Sequence, residues 1–326
     1  MNNLLINKYK PDKIENIPNL NKTYIDLLNI LIKNSNINIL ITGKICCGKS
    51  TLINIILNKY YDNNININND ENIMFINSIK EQGISYYRTE LKTFCQTKSF
   101  IRNKKKCVII DDFHLLNEQS QQIFRNYIDK YNKNINFITA TSNLQNIINN
   151  IQSRLYTIEL NNITCNHIYD LAKKICINEN IKIDNNILEK IISLSNNSPV
   201  KIINFFQKII LIDKEINNDN IYSICCNISE NEFILYTNLC KNNKLIDAIN
   251  ILIEIFNNGY SVIDILDSYH NFLKQTDILD DSYKYKILKI ICKYIVKFNY
   301  LHENEIELSF FTNNIIEIFR NNILRI

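Results

Sequence analysis

The sequence predicts an α/β domain built on a parallel sheet and followed by two helical domains, and three observations carry that prediction. Short apolar runs alternate with helical patterns through the first half of the chain, the signature of parallel strands joined by helices. A glycine-bearing loop, GKICCGKS at 43–50, lies between a strand-like run and a helical one. From about residue 165 to the end the apolar pattern is helical throughout.

Taken in order, Tyr24, Leu27, Leu28 and Leu31 fall at i, i+3, i+4 and i+7 and mark one face of a helix. NINILITG (36–43) predicts the first strand, and STLINIILNKYY predicts the helix after the loop. Further strands are expected at IMFIN (73–77), CVIID (107–111), INFITA (135–140) and YTIEL (156–160). Beyond them Ile168, Leu171, Ala172 and Ile175 share a helical face. Ser198 followed by Pro199 reads as an N-cap with proline at the first helical position, opening PVKIINFFQKII. The expected domains are 1–160, a P-loop α/β domain; 161–226, a small helical lid; and 227–326, an all-helical unit.

Composition sets the outer limits. The chain has 326 residues, enough for two or three cores, and is 46% apolar and 21% charged. A net charge of +4 is too weak to argue for nucleic acid by itself, so any basic surface must be local. The N-terminus MNNLLINKYKPDK lacks an apolar signal core, and no apolar run approaches a membrane span, so no membrane partner is expected. Ten cysteines occur without a CxxC pair, which suits reduced intracellular thiols better than disulfides or zinc. Asparagine-rich stretches such as DNNININNDEN (62–72) read as loops in a compositionally biased chain. Lys104-Lys105-Lys106 reads as a solvated loop, and His114 as a packing residue.

The loop is where chemistry concentrates. Gly43-Lys44-Ile45-Cys46-Cys47-Gly48-Lys49-Ser50 fits G-x-x-x-x-G-K-[ST] in full, with a strand before it and a helix, beginning through Thr51, after it. The glycines let backbone N–H groups turn toward phosphates, and the helix N-terminus adds its positive end. Lys49 neutralises β/γ-phosphate charge and Ser50 supplies a hydroxyl to Mg²⁺, so ATP and Mg²⁺ are the expected cofactors. Cys46 and Cys47 occupy variable positions and read as small space-fillers. An apolar strand ending in Asp111 places a carboxylate at the sheet's C-terminal edge, able to hold Mg²⁺ through water. Asp112, next in sequence, is placed to orient or deprotonate the attacking water.

Several further segments, in order, resemble one family. NKYKPDKIEN (7–16) looks like the N-terminal segment of AAA+ clamp-loader ATPases. INSIKEQGISYYRTELKTF (76–94) is similar to the segment after the second strand of replication factor C small subunits, with Asn77, Glu81, Gly83-Ile84 and Arg88 in place. LLNEQSQQIFRNYIDKYNKNINFITATSN (115–143) matches their helix and sensor strand, and IQSR (151–154) resembles their Ser-Arg-Cys motif. NNSPVKIINFFQ (196–207) has the spacing of the sensor-2 helix, and FNNGYSVIDIL (256–266) resembles the collar.

The resemblance implies a subunit of a hetero-pentameric ATPase that opens a PCNA-like sliding clamp and closes it on primer–template DNA. It implies an AAA+ domain, a lid and a collar, and work in the nucleus or a viral replication compartment. It brings Tyr9, Lys10, Ser142, Asn143 and Lys201 to the nucleotide, and Arg154 to the γ-phosphate of a neighbouring subunit's ATP. It places Arg88 against the DNA backbone, with Lys92 beside it by i, i+4 spacing. Three positions depart from the pattern: Asp112 replaces the usual glutamate, Val200 stands at the sensor-2 arginine, and Ser142 at the sensor-1 asparagine. Two other readings follow from the residues. One is a scaffold subunit that binds ATP without hydrolysing it; the other is a P-loop kinase for a small substrate.

Overall fold

A computed structural model describes residues 4–62, 71–78, 84–181, 183–195, 197–212, 228–298 and 300–323. Of the residues that carry the family resemblance, Glu81, Gly83 and Asn196 lie outside that set. The chain divides into two compact units, Met1–Ile212 and Asp213–Ile326.

The first unit holds a five-stranded, wholly parallel sheet in the order β2-β3-β4-β1-β5. Its strands are β1 (Ile39–Thr42), β2 (Ile73–Asn77), β3 (Lys106–Asp111), β4 (Ile135–Thr141) and β5 (Tyr156–Glu159). Every strand read from the sequence is present. Alternate residues feed two separate cores. Ile39, Ile41, Cys107, Ile109, Ile138 and Ala140 pack with α2 (Lys22–Lys33) and α3 (Lys49–Tyr60) on one face. Leu40, Val108, Ile110 and Phe137 pack with α4 (Ile84–Gln96) and α5 (Glu118–Tyr131) on the other. Burial on both faces explains why these strands read as continuous apolar runs instead of alternating ones. Because β1 sits between β4 and β5, the loop after it opens at the point where chain direction across the sheet switches, which is where such sheets bind ligands.

A short helix α1 (Leu5–Lys8) precedes the sheet, and α6 (Asn149–Gln152) lies between β4 and β5. Three helices follow β5: α7 (Cys165–Asn178), α8 (Asn185–Leu194) and α9 (Pro199–Ile212). Helix α9 begins at Pro199 as the sequence predicts, with the Lys201 N–H donating to the Ser198 hydroxyl. The N-terminal segment is strapped to these helices: Leu5 N–H donates to Gln207, while Lys8 and the Tyr9 hydroxyl both donate to Glu179 at 2.7 Å.

The lysine run departs from expectation. Lys106 is 3% exposed and belongs to β3; its ammonium donates to the Thr97 hydroxyl and lies 4.4 Å from the Phe94 ring centroid. Lys105 donates to the Asn132 carbonyl, and Lys104 pairs with Asp62 at 3.1 Å. These partners offset the desolvation that pushes the Lys105 and Lys106 ammonium pKa values down.

The second unit is helical across its described residues, comprising α10 (Glu230–Lys241), α11 (Leu245–Asn257), α12 (Val262–Gln275), α13 (Asp281–Phe298) and α14 (Ile306–Ile323). Ser229 with Glu232, and Ser261 with Asp264, form capping boxes that satisfy the first-turn N–H groups of α10 and α12. Its core centres on Phe233, Tyr236, Tyr269 and Phe311, where the buried tyrosine hydroxyls meet Thr312 and Thr237. Among the described residues no single helix is long and apolar enough to cross a membrane.

Candidate nucleotide site

The loop from β1 to α3 has the backbone that its glycines require. Gly48 caps α3 at φ +92°, a left-handed conformation that favours glycine. At Gly43 the constraint is space: a Cβ would lie 3.1 Å from both the Leu160 Cβ and the Leu160 carbonyl oxygen. Asn19, 5% exposed, braces the loop from outside, its amide donating to the Cys47 carbonyl at 3.0 Å and to the Asn161 carbonyl at 2.8 Å. Cys47 is buried as a space-filler, whereas Cys46 is exposed at φ +64°, and Ile45 is 81% exposed.

Lys49 is 9% exposed, and its ammonium donates to the Gly43 and Lys44 carbonyls, both at 2.9 Å. Those loop carbonyls are partners that phosphate oxygens can replace at the helix N-terminus, where anions are favoured. Thr51 follows Ser50 in the first turn of α3. The Ser50 hydroxyl donates to Asp111 Oδ2 at 3.0 Å, although β4 separates β3 from β1 in the sheet. A hydroxyl and a carboxylate oxygen thus meet at the loop's mouth, a hard-oxygen pair that fits Mg²⁺ carried with a triphosphate. The other Asp111 oxygen accepts from the Asp112 N–H at 3.1 Å, and the Ser78 hydroxyl donates to the Asp111 carbonyl. Asp112 itself sits at φ +50°, ψ +46°, a left-handed conformation that aspartate tolerates.

The neighbouring strand end brings in a residue that sequence reading had assigned to packing. His114 is half-buried, and its Nε2 lies 3.1 Å from the Ser142 hydroxyl. Asn143 is exposed instead, its side-chain oxygen accepting from the Gln145 N–H. Of the two sensor candidates, Ser142 therefore is the one tied to the segment that carries Asp111 and Asp112. Gln121, 1% exposed, ties the start of α5 to the loop after β4 by donating to the Leu116 and Asn146 carbonyls and accepting from the Ile148 N–H.

Other predicted residues stand apart from the loop. The Tyr9 hydroxyl is engaged by Glu179; burial first, then that hydrogen bond, raises its pKa. Lys10 lines an open cleft with Asn54, Ile55, Asn58 and Lys59, along the second half of α3 and away from its phosphate-facing end. Lys201 is exposed in the first turn of α9. Arg88 and Lys92 are both exposed, one turn apart on α4, while Tyr87 and Leu91 face the core. Arg154, two residues beyond α6, donates through Nε to Asp129 at 2.6 Å and through Nη1 to the Asn150 carbonyl at 2.6 Å. The bond to Asp129 raises the guanidinium pKa further.

With this geometry in place, comparison with known proteins is direct. Residues 35–162 match the AAA domain family, and residues 236–295 match the replication factor C C-terminal domain. Replication factor C subunit 4 of Saccharomyces cerevisiae is 26% identical, covering 88% of this chain and 87% of that protein. The two domain matches occur in one chain, the AAA domain first. Together the domain matches and this relative make the chain similar to the replication factor C small subunits.

Other relatives agree. A protein of Acanthamoeba polyphaga mimivirus, provisionally named a replication factor C small subunit, is 26% identical with 88% of each chain covered. The replication factor C small subunit of Methanococcus vannielii is 26% identical, over 74% of this chain and 76% of its own. Among solved structures, the Thermotoga maritima RuvB Holliday junction branch migration motor superposes with a TM-score of 0.51 at 15% identity, over 85% of this chain and 97% of that one. At that identity the likeness speaks to the AAA+ ATPase fold alone. The likeness to replication factor C small subunits supports a clamp-loader subunit with a nucleotide-binding fold.

Proposed function

We propose that this clamp-loader subunit binds ATP with Mg²⁺ at the loop of residues 43–51, and that the bound nucleotide holds it in a hetero-pentamer with other clamp-loader subunits. The contact between Ser50 and Asp111 carries the reading, because it joins the two halves of a P-loop site that lie 61 residues apart in sequence. Ser50 and Asp111 would hold Mg²⁺, which when bound would supply positive charge against that developing on the transferred phosphoryl group. Lys49 would exchange its loop carbonyls for β/γ-phosphate oxygens. Asp112, held one residue past Asp111, would orient the attacking water, and Ser142, linked to His114, would report on the γ-phosphate side. Arg154 would act on the ATP of a neighbouring subunit. Arg88 and Lys92 would track the phosphate backbone of primer–template DNA, which needs no base reading. The assembly would load a PCNA-like sliding clamp, in the nucleus or in a viral replication compartment, as the yeast and mimivirus relatives suggest.

The scaffold reading keeps one specific observation in its favour: Asp112 is a carboxylate one methylene shorter than the family's glutamate. It predicts binding without turnover at this site. The decisive first experiment is titration of wild type and Lys49→Ala with a fluorescent ATP analogue. Removing the ammonium leaves phosphate charge uncompensated in a partly dry site, and binding is expected to be lost. Undiminished affinity in the variant would overturn the P-loop assignment.

A further inference from the structure

Arg154 does not extend freely from the surface of its own subunit. Its side chain is 33% exposed, and two groups of the same chain grip it: the Asp129 carboxylate at Nε and the Asn150 carbonyl at Nη1. Asp129 lies in the last turn of α5, and Asn150 in α6, so two separate elements converge on one guanidinium. Among the described residues Nη2, the other terminal nitrogen, has no hydrogen-bond partner. Arg125, one turn earlier on α5, lies 4.0 Å from the other Asp129 oxygen, so the carboxylate sits between two cations and is not neutralised by Arg154 alone.

We propose that Asp129 is a positioning residue for trans-acting Arg154: by fixing Nε while Asn150 fixes Nη1, it holds the guanidinium in one pose and leaves Nη2 as the donor for a neighbouring subunit's ATP. The inference rests on the reading of Arg154 as acting in trans. An unrestrained arginine samples many rotamers, and each encounter with the triphosphate would have to freeze them. Two anchors remove that freedom before the subunits meet, which is where preorganised charge has its effect on a transition state. The ion pair has little other reason to be held so closely, since Asp129 is 47% exposed and exposed pairs contribute little to stability.

The test uses the reconstituted complex with the other P-loops disabled, so that only the neighbouring site hydrolyses ATP. Asp129→Ala should lower kcat at that site by about 10- to 100-fold, the scale of a small misplacement of a catalytic group, with KM for ATP unchanged. Asp129→Asn, which keeps an oxygen acceptor for Nε, should recover most of the rate. The melting temperature of the subunit and its own ATP affinity should not move in either variant, and Asp129→Asn carries the test if the alanine variant fails to fold. Arg154→Ala serves as the reference arm. If Arg154→Ala slows the neighbouring site while Asp129→Ala turns over at the wild-type rate, Asp129 does not position the finger. A faster rate in Asp129→Ala, or a change confined to KM, overturns it equally. If Arg154→Ala itself leaves the rate unchanged, the trans-acting reading falls first, and the role of Asp129 with it.

Discussion

In the proposed ATP site, Asp112 is the residue expected to decide own-site hydrolysis. Its left-handed backbone, φ +50°, is one that aspartate and asparagine adopt more readily than longer side chains. Asp112→Asn therefore removes the charge while preserving the loop, and ATP binding should persist while single-site turnover falls by about 100-fold or more, within the range expected for loss of a general base. Turnover that ignores the change would favour the scaffold reading. Asp112→Glu lengthens the side chain toward the family's usual reach, at the cost of some backbone strain, and should give turnover equal to or above wild type. His114 and Ser142 meet at this edge of the sheet, a contact between side chains that no motif links. Asn19 is similar: it braces the phosphate loop, yet in a chain this rich in asparagine it carried no visible signal.

Two elements are open to direct test. The first is the N-terminal strap, where one carboxylate, Glu179, accepts from both Lys8 and Tyr9. The Lys8 bond and then the Tyr9 bond hold the Glu179 pKa below its ordinary 4.5. A depressed acid contributes stability that is present above its unfolded pKa and is lost as pH falls through the folded value. The strap should thus loosen only below about pH 4.5, and Glu179→Gln should loosen it at neutral pH. Hydrogen exchange at residues 5–9 reads both effects; equal protection in wild type and variant at pH 7 would contradict the contact. The second element is α4. The paired Arg88→Ala/Lys92→Ala change should weaken binding similarly across primed templates and reduce the salt slope by about two phosphate contacts. Sequence-selective loss, or an unaltered slope, would exclude a backbone role for this helix.

For the molecule as a whole, the strongest claim is an asymmetric one. Arg154 is held by its own subunit, through Asp129 and Asn150, while Lys49, Ser50 and Asp111 hydrogen-bond to other groups. Arg154→Ala should leave this subunit's ATP affinity intact and slow the adjacent site by roughly 10³-fold, the scale of an arginine finger supplied in trans. Mixing the variant with partners whose other P-loops are disabled isolates that site. A reduced affinity at the subunit's own site would show instead that Arg154 serves in cis. The small-substrate kinase alternative also belongs at this scale: residues 236–295 match the replication factor C C-terminal domain, which a kinase reading leaves unexplained.

The sequence alone determined the five strands, the phosphate loop and the proline start of α9, because each rests on residues adjacent in the chain. A doubly covered strand must be a continuous apolar run, and a loop that turns its N–H groups toward phosphate must carry glycine where φ is positive. Its precision ended where side chains substitute for backbone. The first strand was expected from residue 36 but begins at Ile39, since Asn38 and Asn136 use their side-chain oxygens to accept from the Phe137 and Ile37 N–H groups. Only the tertiary structure decided that Lys106 is buried against Phe94, that Gln121 reaches the loop after β4, that His114 meets Ser142 and that Asp129 grips Arg154. Each of these is a polar contact between segments brought together by the fold. A hydrogen bond needs two atoms within about 3 Å, and no periodicity along a chain encodes which distant residue will supply the second.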